Sequence, residues 1–423
     1  MNFTVIRSSG NIVRPSESTP SVTLNLSAID KLPIYRIYVH SLHVYKHGDK
    51  TAAKVICEAL SKALVPYYPL AGRIKETSDG ELQIACTGDG AWFIEAYTDC
   101  SLESVNYLDK VLKMPKDELL PTLPPETYGI NPLLRIQFTR FTCQGFVLGI
   151  TMHHSTADGV GAAQIINAIG EFARGFRHPK IQPEWDREAV PPRLVRAYGE
   201  TKPFPSPPIP DYQLEPAIFN ISQDEINNLK SDFKELTGDY CSTFDVVVAS
   251  LWCHRTRAIE LKKQTKVSLI FLVNARRFLD PPLPEGFYGN CIIPVTITVS
   301  SGWLVEASNK EVVQLIRNAK ARVSTKIKRW VSSDELDESG YPYASLFAYT
   351  TLCISDWISP GFDKIDYGWG PPVQMFPIET VGIIMPIAIV GLPPTPKKGI
   401  RLKTYCVHGM HLQSLQQYYK NGT

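Results

Sequence analysis

The segment richest in usable chemistry is Gly145–Ala163, GFVLGITMHHSTADGVGAA. An apolar run of strand character leads straight into His153 and His154. A short polar turn follows, then Asp158, Gly159, Gly161 and a helical stretch. Titratable side chains at the end of a buried strand are costly unless they are paired or used. A histidine titrates near neutral pH, so His154 can take a proton from a nucleophile and return it later. The glycines let backbone approach a ligand closely. Asp158 has two possible tasks. It orients the imidazole as a triad acid does, or it points away and pins the loop through a cation elsewhere. Its spacing from His154, across a turn, fits both.

Other chemistries fit less well. His153, His154 and Asp158 are metal-ligating types, but adjacent residues on a strand face opposite sides and do not readily share one ion. His408 and His411 form a second loose pair, read as solvated. No metal is expected. Gly159-Val-Gly161 is followed by Gln164 where a dinucleotide turn needs its third glycine, and HHSTAD separates the strand from the first glycine. Neither a GxSxG elbow nor a P-loop occurs, so no nucleophile is indicated and direct transfer is expected.

The elements that must position these groups follow from residue pattern. In the first half, residues 3–7, 35–45, 82–87, 92–97, 134–141 and 146–152 read as strands, being β-branched or aromatic runs bounded by turn residues. Residues 52–64 and 162–174 read as helices, the second with a stripe of Ile165, Ile166, Ile169 and Phe172. In the second half, 223–237, 243–259 and 309–328 read as helices, and 267–274, 292–298 and 380–390 as strands. Strands and helices mix without strict βαβ alternation, which predicts a mixed α/β (α+β) fold.

The chain has 423 residues, so a typical domain of ~150 residues predicts about two or three domains. Ten of its 33 prolines fall between Pro179 and Pro216, where neither helix nor central strand survives. This stretch reads as a crossover over 179–216 joining halves 1–178 and 217–423. With 44 basic and 42 acidic residues, no surplus exists to neutralise phosphates, and a nucleic-acid partner is not expected. The longest apolar stretch, Val381–Pro393, is shorter than the ~18 residues a spanning helix needs. The N-terminus lacks a signal-peptide core. Nine scattered cysteines with no CxxC read as buried free thiols. A cytoplasmic protein with no membrane partner is expected.

Here the sequence resembles a family. His154-Ser-Thr-Ala-Asp158-Gly159 is similar to the HxxxDG motif of the plant BAHD acyl-CoA-dependent acyltransferases. Asp366-Tyr-Gly-Trp369-Gly370 is similar to their DFGWG signature, with Tyr367 for Phe. Tyr68–Arg73, Ser242–Asp245, Asn274–Arg276 and Phe287–Asn290 also look like family segments, so the resemblance spans essentially the whole chain.

The resemblance implies two similar-sized domains of chloramphenicol-acetyltransferase type, with a channel between them. It implies His154 at the channel centre, with Nε2 as general base on an acceptor hydroxyl or amine. Acyl-CoA is then a cosubstrate, and no further cofactor is implied. It pairs Asp366 with His154 as catalytic residues, although Gly-aromatic sequence alone reads as a tight structural loop. It assigns site support to Asp158, Gly159, Arg276 and Trp369, with Arg276 the candidate cation for Asp158. It places acyl-CoA along Ser242, Thr243, Arg276, Arg277, Ser355, Asp356 and Trp357. Ser242 as an ordinary helix cap and the arginines as surface charges stand beside that assignment. If Arg276 pairs with Asp158, Arg277 is the freer phosphate ligand. An aromatic acyl donor, an alcohol acceptor and a monomer are expected.

Overall fold

Two open β-sheets organise the computed structural model, which describes residues 3–109, 114–125, 131–192, 212–332, 344–378 and 385–420. The first half contains β1 (Val5–Arg7), β2 (Asn11–Val13), β3 (Thr23–Asn25), β4 (Tyr38–Tyr45), β5 (Arg73–Glu76), β6 (Leu82–Ala85), β7 (Ala91–Thr98), β8 (Leu134–Arg140) and β9 (Phe146–His153), with helices α1 (Ala52–Ala63) and α2 (Gly159–Ala173). The second half contains β10 (Leu214–Ile221), α3 (Gln223–Thr237), α4 (Thr243–Ala258), β11 (Lys266–Asn274), β12 (Ile292–Ser300), α5 (Ser301–Glu306), α6 (Asn309–Ala321) and α7 (Val323–Ser332). It continues with β13 (Thr351–Asp356), β14 (Gln374–Ile378), β15 (Ile387–Gly391), β16 (Ile400–His408) and α8 (Gly409–Lys420).

The first sheet runs β1-β7-β8-β9-β4-β14, with β2 also on β7. The second runs β10-β16-β15-β13-β11-β12, and β3-β6-β5 form a small third sheet. Parallel pairs (β7 with β8, β11 with β13, β13 with β15) sit among antiparallel ones, as expected of a mixed α/β fold. Every residue of β9 is buried, which marks it as a central strand. On α2, Ile165, Ile166, Ile169 and Phe172 bury against α1 and the sheet, about 1.5–3 kcal/mol each.

Glycines set the close approaches of α2. A Cβ on Gly161 would stand 1.8 Å from the Tyr288 carbonyl oxygen. One on Gly170 would stand 2.5 Å from that of Asp366. Both ends of α2 are thus packed directly on backbone from the second half.

Several expectations shift. The helix expected over 309–328 divides into α6 and α7, with Arg322 closing the first. The strand expected at 35–45 begins at Tyr38, because Pro33–Tyr35 forms a 3-10 turn. The strand expected over 380–390 is β15, and residues 380–384 lie outside the described residues. Strands at 214–221, 351–356, 374–378 and 400–408 were not expected. Two of these contain proline, Pro216 and Pro377, and both are edge strands, where a missing N–H is tolerated. The β10 register also shifts between Glu215 and Pro216. Of the proline-rich crossover, residues 193–211 lie outside the described residues. All nine cysteines are free; six are buried, Cys57 and Cys241 are half-buried, and Cys143 is exposed.

Candidate active site

His154 follows directly from β9. At that strand's end the backbone turns into a 3-10 helix over His154–Thr156. The His154 N–H donates to the Ile37 carbonyl at 2.8 Å, tying it to the approach of β4. The Thr156 hydroxyl donates to the His153 carbonyl at 2.6 Å, and the Ser155 hydroxyl to the Tyr35 carbonyl at 3.1 Å. The His154 ring packs on Tyr35 with centroids 4.6 Å apart. Its neighbour His153 faces the other way, edge-on to Tyr38, as strand alternation requires.

His154 lines a cavity that is partly open to solvent. Val39 and Ser41 of β4, Ile150 and Met152 of β9, and Ala162 and Ile166 of α2 form one side. Trp357 and Phe362, from the segment after β13, close the other, their rings stacked at 5.5 Å. The cavity therefore lies where the two halves meet. Burial pushes the His154 pKa below its ordinary value; its own carbonyl, the charge of Asp158, the Asn290 amide and the charge of Asp30 act in the opposite direction. A neutral ring is the form that can accept a proton.

Asp158 caps α2, its Oδ1 accepting from the Gly161 N–H at 3.0 Å. Both carboxylate oxygens also accept from Arg276, at 2.8 and 2.9 Å, and Oδ2 accepts from the Cys291 N–H at 3.0 Å. Asp158 is thus turned onto a cation elsewhere, the second of the two arrangements open to it. The remaining Arg276 donors go to the Phe287 carbonyl at 3.0 Å, the Gly289 carbonyl at 2.6 Å and Asn274 Oδ1 at 3.2 Å. Every guanidinium donor is occupied by an acceptor of the protein itself, the case in which Arg277 was expected to be the freer phosphate ligand. Arg277 is exposed and makes no hydrogen bond among the described residues.

Asp366 sits in a turn of its own. Its Oδ1 accepts from the Gly368 and Gly370 N–H groups at 2.7 and 2.9 Å, closing a turn in which both glycines have positive φ. Its carbonyl accepts from Arg174 and rests on Gly170. Gly170 lies eleven residues along α2 from Gly159, about 16 Å at 1.5 Å per residue. Asp366 thus closes its own turn and packs at the end of α2 away from Asp158. Trp369 belongs to the same loop, donating from its indole to Asp49 at 3.1 Å.

The remaining acyl-CoA candidates divide. Trp357 lies in the cavity with His154 and Gly159. Ser355 accepts from the Trp357 indole at 3.1 Å and so fixes that ring. The Asp356 carboxylate is engaged by Ile358 and Ser359. Ser242 forms a capping box with Asp245, which also holds Lys320 at 2.6 Å. Thr243 is half-buried at the first position of α4.

Several residues of the site and its surroundings escaped sequence reasoning. The Ser41 oxygen lies 3.0 Å from His43 Nε2. His43 is buried, and burial lowers its pKa to about 3, so the ring stays neutral. Val39, Ser41 and His43 share one face of β4, a period-two signal present in the sequence. Asp30, buried beside Asn290, carried no motif.

Comparison with known proteins agrees with this geometry. Residues 2–385 match the model of the family described as the Transferase family. The chain is 41% identical to acyl transferase 4 of Oryza sativa subsp. japonica, over 99% of each chain. It is a BAHD acyltransferase. Among other family members, it is 41% identical to a myricetin 3-O-glucosyl 1,2-rhamnoside 6'-O-caffeoyltransferase of Crocosmia x crocosmiiflora, over 98% of each chain. It is 34% identical to a 3'-N-debenzoyl-2'-deoxytaxol N-benzoyltransferase of Taxus canadensis, over 96% of this chain and 93% of that one. The BAHD fold is shared with vinorine synthase (TM-score 0.73, 20% identity, 97% and 96% of the two chains). It is shared equally with TRI101 of F. graminearum complexed with coenzyme A and deoxynivalenol (TM-score 0.73, 14% identity, 95% and 98%). These neighbours place the chain in the two-domain chloramphenicol-acetyltransferase-like class. No described helix is long and apolar enough to cross a membrane.

Proposed function

We propose that this acyltransferase moves an acyl group from acyl-CoA to the hydroxyl of a small-molecule acceptor, with His154 as general base. The observation that carries this reading is that His154 lies on the wall of a cavity between the halves while Asp158 is turned away onto Arg276; burial, which lowers the His154 pKa, favours the neutral ring. His154 Nε2 takes the acceptor's proton as its oxygen attacks the thioester carbonyl carbon. The tetrahedral oxyanion collapses, the C–S bond breaks, and the proton returns from Nε2 to the CoA sulfur. No covalent enzyme intermediate forms. Gly159 and Trp357 border the reacting groups; Arg277 and the first turn of α4 at Ser242 and Thr243 are the candidate phosphate contacts. Domains 1–178 and 217–423, joined over 179–216, form the cavity.

The apolar walls with stacked Trp357 and Phe362 suit an aromatic acyl chain, hydroxycinnamoyl or benzoyl, more than an acetyl group. The caffeoyltransferase relative supports the same donor class and an oxygen acceptor. An amine acceptor is the second reading, favoured by the N-benzoyltransferase relative. The protein is read as a cytoplasmic monomer needing no cofactor beyond the cosubstrate. The test is thiol release from a panel of acyl-CoAs, with and without alcohol or amine acceptors. Release that requires an alcohol supports the proposal. Release that requires an amine supports the second reading, release without acceptor means hydrolysis, and no release with any donor means a binding protein.

A further inference from the structure

A tyrosine from ahead of β4 reaches the His154 imidazole. Pro33–Tyr35 forms the 3-10 turn there, with Pro33 opening it and the Tyr35 N–H donating to the Leu32 carbonyl at 2.9 Å. Tyr35 is 4% exposed, and its ring lies 4.6 Å from that of His154 between centroids, tilted by 35°. Backbone groups hold the pair together. The Tyr35 carbonyl accepts from the Ser155 hydroxyl at 3.1 Å, and the Ile37 carbonyl accepts from the His154 N–H at 2.8 Å. Tyr35 is rooted in the apolar cluster of the second half, with Ile29, Leu32 and Val190. It is not part of the cavity wall, so it meets the imidazole from within the protein.

A base that takes a proton becomes a cation, and in a buried site that cation needs an electrostatic partner. The carboxylates near His154 are already committed. Asp158 is paired with Arg276 at 2.8 Å, and Asp30 lies 3.4 Å from Arg187, with both of those side chains buried. The Asn290 amide donates to the His154 carbonyl at 2.7 Å. His153 and Arg135 lie on the opposite face of the sheet, grouped around Tyr38. The π-face of Tyr35 is therefore the electron-rich surface in ring contact with the imidazole. An aromatic ring within ~6 Å of a cation attracts it, most strongly where water is excluded.

We propose that Tyr35 is a positioning residue: its ring is the platform on which the His154 imidazole rests, and its π-face stabilises that imidazole once the acceptor's proton has arrived. This rests on the reading of His154 as the base. The tyrosine touches no substrate and exchanges no proton. It acts by holding the plane of the imidazole and by favouring the imidazolium against the burial that disfavours it.

The test compares Tyr35→Phe with Tyr35→Leu in the full-length enzyme. Phenylalanine keeps the ring and its face; leucine keeps a dry apolar filling and removes the π-system. Steady-state kinetics over a range of pH give kcat, KM and the acid limb. Labelling with 13C-histidine gives the His154 ring signals, which a stacked aromatic ring displaces and which are assigned by their loss in His154→Gln. Tyr35→Phe should match the parent throughout. Tyr35→Leu should lower kcat by about three- to thirtyfold, the rate equivalent of a cation–π contact. Its KM for acyl-CoA should move by less than about twofold, because the contact acts on a reacting group. Its acid limb of kcat/KM should move to lower pH by roughly half a unit or more, and its His154 signals should shift toward those of an unstacked ring. If the leucine variant does not fold, Tyr35→Met takes its place. A leucine variant with parental kcat and acid limb overturns the proposal. So does a phenylalanine variant as impaired as the leucine one, which would assign the effect to the hydroxyl. A change confined to KM overturns it as well, since Tyr35 would then serve binding alone, and so do His154 signals that leucine leaves unmoved. Absence of acyl transfer in the parent would sink the reading of function, while His154 signals that still respond to leucine would leave the ring contact standing.

Discussion

At the scale of single residues, His154 should work at lower pH than a free histidine. Burial is the leading influence on its pKa and lowers it from the usual 6.5. The acid limb of kcat/KM should therefore fall below pH 6.5, and His154→Ala should lose about 10²–10⁴-fold in kcat. A pH–rate profile with its limb above 6.5 would contradict the assignment. Asp158→Asn keeps the size of the side chain and removes the charge facing Arg276. Breaking a buried pair from one side costs about 3–5 kcal/mol, so both Tm and kcat should fall. Normal melting with normal turnover would refute the loop-pinning role. Both residues were legible in the sequence, because a histidine and an aspartate ending an apolar strand demand partners. Ser41, His43 and Asn290 were less legible. Their importance comes from which strand face or which distant carboxylate they meet, and only strand register and chain crossing decide that.

At the scale of elements, α2 is the part on which the site depends. Gly161→Ala should be destabilising by about 1–3 kcal/mol, because its Cβ would meet fixed backbone at Tyr288 and push the Asn290 segment away from His154. Gly159→Ala should stay within about 1 kcal/mol of the parent, since its Cβ would meet only Pro360 at 3.4 Å. Thermal denaturation of the two variants checks the contrast. The loop carrying Asp366 belongs to the other end of the same helix. Asp366→Asn retains the oxygen that accepts from Gly368 and Gly370, so turnover should remain within a few-fold of the parent, where loss of a proton-transfer group would cost ~10²-fold or more. Steady-state kinetics on a variant with parental Tm decides between the two. Helix α3 was readable because a capping box and apolar periodicity mark it locally; α4, buried nearly all round, is marked locally by its capping box. Strand β14 was not, since its partner lies in the other half and its Pro377 breaks the local pattern.

At the scale of the whole molecule, several buried histidines share one sensitivity. Burial is the first cause holding His43 at about 3, and His153 and His254 at about 4. Each lies below the ~6.5 of an unfolded chain, so unfolding takes up protons in the interval between. Their effect on stability is absent above pH 6.5 and becomes an increasing loss as pH falls toward 4 and then 3. Tm measured by calorimetry should decline on acidification through that window, and a flat Tm from pH 6.5 to 4 would count against it. The same whole-molecule view bears on how substrates arrive. After contributing Trp357 and Phe362 to the cavity, the polypeptide crosses over and pairs Gln374–Ile378 with the edge of the opposite sheet at β4. That stitch ties the two halves together beside the reaction chamber. Swinging them apart like a clamshell would first unzip that ladder, so without such unzipping the reach of solvent into the chamber is set by the opening the cavity already has.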